Sequence, residues 1–497
     1  MKYFIGYDLG SSSVKAALLD AATGVPIASA HSPVEEMKIN APSAGFAEQD
    51  PENWWKELIH ATSNLQAKFP FKKNDILAIG ISYQMHGLVC INDKMESLRP
   101  AIIWCDSRAV EIGSSAFDQM GHRYCLEHFL NSPGNFTASK LKWVKDHEPA
   151  IYHKIYRVLL PGDFMALKMT GEAVTTISGL SEGIFWDFKE NGIAHSLLDF
   201  YQIDAGLLAP VVPGFGEQGR LHTAAAELLG IAAGTPVCYR AGDQPNNAFS
   251  LQVLDPGEMA ATAGTSGVVY GISGKKGFDE QSRVNSFLHV NHTSENIRLG
   301  ILMCLNGTGA FNSWLRREFF HQESYESINA GAAGISLGGD GIFCYPFGNG
   351  AERILENLNP GACIRGLDFN RHGKYHIARA AQEGIVFSLI YGTEIMQNMG
   401  LPLTRVRAGY ANMFLSKLFS QTFANLIHCP LELYNTDGAV GAARGAGHGS
   451  GYYKHIRECY TGMKIIEYIE PDKKEAQNIR ELYEKWKGGL ADILVKK

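Results

Sequence analysis

Apolar residues near the start of the chain fall into short runs that turn-forming residues separate. YFIGYD and VKAALLD are rich in strand-forming residues and lie on either side of GSSS, residues 10–13. This pattern predicts two strands joined by a tight turn. A third strand-like run, VPIASAHSPV, follows. A helix is then predicted from Pro51, because Asp50 can cap its N-terminus and apolar residues recur at helical spacing.

The strand–turn–strand pattern recurs about half a chain later. An apolar run, EMAATA, leads into residues 264–267, Gly-Thr-Ser-Gly, and a second apolar run follows. The recurrence predicts two halves of one architecture, each opening with such a unit. A chain of 497 residues also exceeds what one core usually serves. We therefore expect two domains, 1–245 and 246–497.

Three further predicted strands end in polar residues that could carry chemistry. ILAIGIS leads into YQMHG, where His86 could bind a polyol or be structural. In WCDSR, Trp104 could stack on a sugar, and Asp106 could accept hydroxyl hydrogen bonds or pair with Arg108. VCYRAG ends at Asp243, which could act as a general base or simply cap a helix.

Later segments add helices and one motif that resembles a nucleotide fingerprint. YHIARAAQEGIVFSLIYGTEIMQNM has the apolar period of a long amphipathic helix, and VRAGYANMFLSKL predicts a strand, a glycine turn and a helix. The glycines between residues 441 and 451 do not form a dinucleotide motif, because a GxGxxG loop must follow a strand directly. Here they follow a predicted helix, so close helix packing explains them better.

Composition narrows the class of protein. Hydrophobic residues make up 45% and charged residues 19% of the chain, which is typical of a soluble globular protein. The net charge of -6 and the absence of a basic arm argue against nucleic acid or an anionic membrane as a partner. Nine scattered cysteines without CxxC spacing, and no signal-like or membrane-spanning run, predict a cytoplasmic protein with reduced thiols.

The first turn has the chemistry of a phosphate site. Consecutive backbone N–H groups in a turn can bind an anion, and serine hydroxyls and Lys15 add donors and charge. Asp8 at the strand end could bind Mg²⁺, which favours carboxylate and phosphate oxygens. An ordinary hairpin turn is the alternative, but the second turn at 264–267 argues against it. Two such turns could hold a polyphosphate from both sides.

In combination, these motifs resemble a known family. The two turns, QMHG, WxDxR, GDQ and a late glycine turn occur in the order seen in FGGY carbohydrate kinases, from about residue 3 to 450. The first half is most similar to the xylulokinase branch, in QMHG, LRPAIIWCDSR and LLPGDFMALKMTGE. The resemblance implies an α/β, two-domain actin-like ATPase (ribonuclease H-like) fold with a duplicated core and a cleft between domains.

The resemblance also implies roles for individual residues in binding ATP, Mg²⁺ and a sugar. Asp243 matches the catalytic base, and Asp8 together with Asp243 matches the metal-associated carboxylates. The substrate contacts implied are Met85, His86, Trp104, Asp106, Asp243 and Gln244. The ATP contacts implied are Gly10, Ser11, Ser12, Ser13, Lys15, Gly264, Thr265, Ser266, Gly267, Gly409, Tyr410, Ala411 and Asn412.

Departures from the family pattern keep other functions open. The branch usually has GDN where this chain has GDQ, GGGA or GGGS where it has AGYA, and WND where it has WCD. The substrate we expect is D-xylulose, phosphorylated at its 5-hydroxyl, with ribulose, gluconate or glycerol as alternatives. A non-enzymatic actin-like ATPase would lack a sugar pocket, and a sensor would bind sugar without turnover. A homodimer is the default assembly.

Overall fold

The computed structural model describes residues 1–495 and contains parallel and antiparallel strands with helices throughout. The strands are β1 (Tyr3–Leu9), β2 (Val14–Asp20), β3 (Pro26–Ser32), β4 (Glu48–Gln49), β5 (Ile76–Tyr83), β6 (Val89–Ile91), β7 (Ala101–Ile102), β8 (Arg157–Leu159), β9 (Thr175–Thr176), β10 (Trp186–Asp187), β11 (Gly192–Ile193), β12 (Val211–Val212), β13 (Val237–Gly242), β14 (Glu258–Ala263), β15 (Ser266–Ser273), β16 (Asn285–Leu288), β17 (Leu299–Asn306), β18 (Phe343–Phe347), β19 (Gly361–Arg365), β20 (Arg405–Gly409), β21 (Leu431–Tyr434) and β22 (Ile465–Ile469).

The helices are α1 (Pro51–Lys68), α2 (Val110–Met120), α3 (His122–Phe129), α4 (Thr137–His147), α5 (Pro149–Tyr152), α6 (Pro161–Thr170), α7 (Ile177–Glu182), α8 (His195–Tyr201), α9 (Thr223–Leu229), α10 (Asp243–Ser250), α11 (Thr308–Phe319), α12 (Tyr325–Ala333), α13 (Lys374–Asn398), α14 (Lys417–Ile427), α15 (Gly438–Gly449) and α16 (Lys473–Val495). The predicted start of α1 is confirmed: Asp50 accepts a hydrogen bond from the backbone N–H of Glu52, and Pro51 is the first helical residue. Within residues 1–495, every helix is too short or too polar to cross a membrane.

The chain forms two compact units, each of which is assembled from three segments. The first unit comprises 1–252, 287–299 and 436–463, and the second comprises 253–286, 300–435 and 464–497. Two continuous domains, 1–245 and 246–497, were expected from the sequence. The units are discontinuous because later segments pack against sheets that earlier segments build.

The first unit is built on a five-stranded sheet of order β13-β5-β1-β2-β3. The hairpin β1–β2 is antiparallel, β3 continues it, and β5 and β13 add to the other side in parallel. β1, β2, β5 and β13 are almost wholly buried, as the apolar runs predicted, whereas β3 is partly exposed. Helix α1 covers β2 and β3. The carboxyl ends of β1, β5 and β13 therefore lie at one edge of this sheet.

The second unit repeats the same core order in a seven-stranded sheet. Its order is β16-β17-β15-β14-β20-β21-β22. The hairpin β14–β15 is again antiparallel, and β20 and β21 follow β14 in parallel. The 25-residue helix α13, predicted from its periodicity, is buried in the core of this unit. The duplication inferred from the two turns is thus present in the strand order.

The small-residue helix α15 belongs to the first unit and packs directly on its sheet. A Cβ atom at Gly6 of β1 would lie 2.0 Å from the backbone oxygen of Ala439, and one at Gly80 of β5 would lie 2.0 Å from that of Ala442. Only glycine allows so close an approach of strand and helix backbones. The glycines of α15 also serve close packing, as the sequence predicted, since a Cβ atom at Gly449 would lie 1.8 Å from the backbone oxygen of Cys238.

Candidate active site

The first turn joins β1 and β2 and is held by hydrogen bonds from the protein interior. The N–H of Gly10 donates to the carbonyl oxygen of Ser13 over 3.0 Å. The buried side chain of Gln49 donates from Nε2 to the carbonyl oxygen of Ser11 over 2.7 Å. These bonds occupy carbonyl groups of the turn and leave its three serines partly or fully exposed. The structure thus places together the candidates Gly10, Ser11, Ser12, Ser13 and Lys15.

Asp8 is positioned by the two strands that flank β1. It is opposite Lys15 in the antiparallel register and opposite Ser82 in the parallel one, and the Ser82 hydroxyl donates to Oδ1 over 2.8 Å. Burial raises the pKa of Asp8, and Asp437 adds to that, whereas Ser82 and Lys15 oppose it. A Cβ atom at Gly438 would lie 2.4 Å from Oδ2. The glycine that begins α15 therefore leaves room for this carboxylate.

Asp243 is the first residue of α10 and follows β13 directly. The N-cap position is Gly242, and no side chain caps the helix, so the helix-capping alternative for Asp243 is not what the structure has. Burial raises the pKa of Asp243 to about 7, and the negative charge of Asp8 contributes. Nε2 of Gln244 donates to Oδ2 of Asp243 over 3.3 Å. Asp8 and Asp243, far apart in the sequence, are thus electrostatic neighbours.

Met85 and His86 follow β5 and lie beside the residue that precedes Asp243. Met85 is buried, and its Cγ would lie 2.5 Å from a Cβ atom at Gly242. His86 is partly exposed, has a left-handed backbone with φ 61°, and contacts the carbonyl oxygen of Glu182 through Nδ1 over 2.9 Å. The ring of Phe287 packs against the imidazole at 5.2 Å between centroids. A polar imidazole beside an apolar wall is suited to a sugar.

Glu182, the last residue of α7, is a member of this cluster that the sequence did not reveal. Its Oε1 accepts a long hydrogen bond of 3.4 Å from the N–H of His86. Burial raises the pKa of Glu182 well above its ordinary value, and the neighbouring Asp243 and Asp163 raise it further. Asp163 itself pairs with Arg240 at 3.0 Å. Glu182 ends a short helix rather than a strand, so no local pattern pointed to it.

Trp104 and Asp106 lie close in sequence but have different environments. Trp104 is 40% exposed, as expected for a ring that stacks on a ligand. Asp106 is fully buried and accepts hydrogen bonds from the guanidinium of Arg108, including one of 2.7 Å, and from the N–H of Ala47 over 2.5 Å. Of the two roles predicted for Asp106, pairing with Arg108 is the one the structure has.

The second turn, between β14 and β15, forms one wall of a large cavity in the second unit. The carbonyl oxygens of Gly264 and Thr265 accept hydrogen bonds from the N–H groups of Gly309 and Ala310 at the start of α11, over 2.8 and 3.1 Å. The cavity has a volume of about 950 Å³, and Asn412 lies on another of its walls. Of the ATP contacts predicted in this unit, Gly264, Thr265 and Asn412 line it, and Ser266, Gly267, Gly409, Tyr410 and Ala411 do not.

Aromatic side chains that the sequence analysis did not single out also line this cavity. Trp314 on α11 and Tyr325 on α12 are each 39% exposed, and both border the cavity together with the cationic Arg317. Aromatic faces and a cation suit a heterocyclic base with attached phosphates. Periodicity predicts where an amphipathic helix is buried, but it does not reveal which of its aromatic rings border a cavity.

The carboxylates of the first unit fit a magnesium ion better than a transition metal. Asp8 and Asp243 offer only oxygen donors, and Mg²⁺ commonly takes one or two carboxylates and fills its shell with water and phosphate oxygens. Across residues 1–495, no group of three or more His, Cys, Asp or Glu side chains is arranged to hold a metal. A magnesium site with one or two protein carboxylates, completed by substrate oxygens, is consistent with the oxygen donors present and with the lack of such a group among these residues.

Comparison with known proteins identifies relatives of similar sequence and fold. The chain is 28% identical to the xylulose kinase of Bacillus subtilis, over 97% of this chain and 94% of that protein. Its fold matches a solved xylulose kinase of Brucella ovis with a TM-score of 0.89 at 24% identity, over the whole of both chains. It also matches a gluconate kinase of Lactobacillus acidophilus with a TM-score of 0.89 at 21% identity, over 99% and 98% of the chains. These matches confirm the expected two-domain α/β fold of the actin-like ATPase type.

The family models account for both halves of the chain. Residues 3–250 match the N-terminal domain of the FGGY family of carbohydrate kinases, and residues 259–449 match the C-terminal domain. Each matched segment contains one of the two turns and the side chains grouped around it. The chain belongs to the FGGY family of carbohydrate kinases.

Proposed function

We propose that this sugar kinase phosphorylates D-xylulose at its 5-hydroxyl, with ATP as the phosphoryl donor, to give D-xylulose 5-phosphate. The observation that carries the proposal is the carboxyl group of Asp243, which burial and Asp8 bring to a pKa of about 7. A general base works best when its pKa is near the operating pH. The similarity to the xylulose kinase of Bacillus subtilis supports the choice of sugar.

The first unit would bind the sugar and activate its hydroxyl. Asp243 orients the hydroxyl and accepts its proton as the oxygen attacks the γ-phosphate. Met85 and His86 contact the sugar beside Asp243, with Gln244 as a further contact, and the exposed ring of Trp104 stacks on it. Asp106 takes part indirectly, because its oxygens are committed to Arg108.

The first turn would offer a phosphate site in the first unit, and the cavity of the second unit would offer a nucleoside site. Backbone N–H groups and serine hydroxyls of residues 10–13, with Lys15, bind phosphate oxygens, and residues 264–265 border the cavity that takes the nucleoside. Phosphoryl transfer depends mainly on positioning and electrostatic stabilisation, so rigid turns of this kind are suited to it. Asp8 and Asp243 would hold Mg²⁺, which when bound offsets the negative charge of the phosphates.

The Gly-Asp-Gln sequence leaves glycerol open as a second candidate, although QMHG argues against it.

An ADP-release assay with Mg-ATP and a panel of sugars tests the proposal. The panel contains D-xylulose, L-xylulose, D-ribulose, L-ribulose, gluconate and glycerol. Turnover with D-xylulose well above the others supports the assignment. Turnover with another member retains the kinase chemistry and replaces the substrate. No turnover with any member, while ATP still binds, would overturn the proposal in favour of a sensor or of an unlisted sugar.

A further inference from the structure

Lys140 is a buried lysine whose side-chain nitrogen binds two backbone carbonyl groups of the first unit. Its side chain, on α4, is fully buried. Nζ donates to the carbonyl oxygen of His86 over 2.9 Å and to that of Ile103 over 3.0 Å. A buried polar group is costly unless it is hydrogen-bonded, so these two bonds are what makes a lysine tolerable at this position.

The two carbonyl groups belong to different segments, and each segment carries a predicted sugar contact. His86 is one such contact, and Ile103 directly precedes Trp104. The two segments run antiparallel beside each other. Leu88 and Ile102, one on each segment, exchange backbone hydrogen bonds of 2.9 and 3.1 Å. Lys140 therefore links these two segments just beyond their last backbone hydrogen bonds.

The backbone of His86 needs support of this kind. Its φ of 61° lies in the left-handed region, which is unfavourable for a residue with a Cβ atom. Lys140 binds its carbonyl group, and Glu182 accepts from its N–H and contacts its ring. The backbone of His86 is thus held at its carbonyl group by Lys140 and at its N–H by Glu182.

We propose that Lys140 is a positioning residue, which sets the separation of His86 and Trp104 and thereby the affinity for the sugar. Lys140 does not touch the substrate and acts through the two carbonyl groups. The proposal rests on the proposed function, because it takes His86 and Trp104 as sugar contacts. Its expected signature is a change in the KM for the sugar without a matching change in the KM for ATP.

The test compares Lys140→Met with Lys142→Met, which removes a partly exposed lysine two residues along the same helix. Lys142 pairs with Asp146 and makes no contact with the sugar-facing segments. Since leaving two buried carbonyl groups without their hydrogen-bond donor is costly, Lys140→Met should raise the KM for the sugar about tenfold or more. The KM for ATP should change less than about twofold, and Lys142→Met should change neither value.

Chemical rescue separates positioning from a general effect on stability. In Lys140→Ala, added ethylammonium can enter the space that the side chain leaves and donate to the same carbonyl groups. The KM for the sugar should then fall toward the wild-type value, whereas tetramethylammonium, which has no N–H, should have no effect. If Lys140→Met does not fold, the same criteria are applied to Lys140→Gln.

Two results would overturn the proposal. One is an unchanged KM for the sugar in a folded Lys140 variant. The other is a parallel rise in both KM values without rescue by the amine, which would indicate a purely structural lysine. Turnover by the wild-type protein distinguishes a failure of this proposal from a failure of the proposed function. If the wild-type protein phosphorylates no sugar of the panel, the proposed function is wrong.

Discussion

Ser82 donates a hydrogen bond of 2.8 Å to Oδ1 of Asp8, across the parallel pair of β5 and β1 in which the two residues are opposite each other. This bond lowers the pKa of Asp8 against the effect of burial. It also links the strand that leads to Met85 and His86 with the strand that leads to the first turn. The hydroxyl thus adds a side-chain hydrogen bond between two strands that their parallel backbone pairing already aligns.

Replacing Ser82 by alanine should weaken the metal site. The carboxylate of Asp8 would lose a donor and gain a proton more readily, so a higher Mg²⁺ concentration would be needed for half-maximal activity. We expect an increase of about tenfold, the usual effect of a hydrogen bond to a charged group. Titration of activity with Mg²⁺ at saturating sugar measures it, with Ser29→Ala, an exposed serine of the same sheet, as the control. An unchanged Mg²⁺ dependence would argue against Asp8 as a metal ligand.

Asp243→Asn should abolish most of the catalysis while the nucleotide still binds. The substitution keeps the shape of the side chain and removes its ability to accept a proton. General-base catalysis contributes about 10² to 10⁴ in rate, so kcat should fall by at least a hundredfold. Asp93→Asn, which alters an exposed turn of the same unit, is the matched control. A kcat within a few-fold of the wild-type value would exclude Asp243 as the base.

The strand ends were predictable from sequence because alternation and apolar runs are local. Asp8 lies near the end of a strand that periodicity identifies, and His86 and Asp243 follow two others. The structure brings these strand ends to one edge of a sheet. Glu182 and Lys140 were not predictable. Their partners lie far along the chain, and their neighbouring residues do not distinguish them from an ordinary acid or lysine on a helix.

The packing of α15 shows a second limit of the sequence. Its glycines predicted close packing, and the structure confirms it at Gly445 and Gly449, which pack against β13. No local pattern indicated that the partner would be the sheet at the opposite end of the chain. The same limit applies to Asp106. Whether its carboxylate binds a ligand or pairs with Arg108 depends on which face of the loop is buried, and the sequence does not show this.

Substitution of Trp314 should affect the KM for ATP, and substitution of Trp104 should affect the KM for the sugar. Trp314 borders the cavity of the second unit, so Trp314→Ala should raise the KM for ATP about tenfold and leave that for the sugar unchanged, since aromatic stacking on a base contributes about 1–3 kcal/mol. Trp104→Ala should have the reverse effect, and each variant is the control for the other. Steady-state kinetics with each substrate varied in turn measures both. Equal effects of one variant on both KM values would contradict the assignment of its site.

The buried amine of Lys140 should make stability depend on pH in an unusual direction. Burial lowers the pKa of Lys140 to about 7, while Asp106 and Cys105 oppose this and Arg108 adds to it. Between pH 7 and about 10.5, the unfolded chain therefore binds a proton at this residue that the folded chain does not bind. The contribution of Lys140 to the free energy of unfolding should rise with pH in this window, by up to about 1.4 kcal/mol per pH unit.

Thermal unfolding between pH 7 and 9.5 measures this effect as the difference in Tm between the wild-type protein and Lys140→Met. The difference should shift in favour of the wild type as pH increases, because the proton that Lys140 releases on folding is lost at a smaller free-energy cost when the pH is higher. Lys142→Met provides the baseline for removing a lysine from the same helix. A difference in Tm that is constant across this range would mean that Lys140 stays protonated in the folded protein. The two carbonyl groups of His86 and Ile103 would then be held by an ammonium ion rather than by a neutral amine.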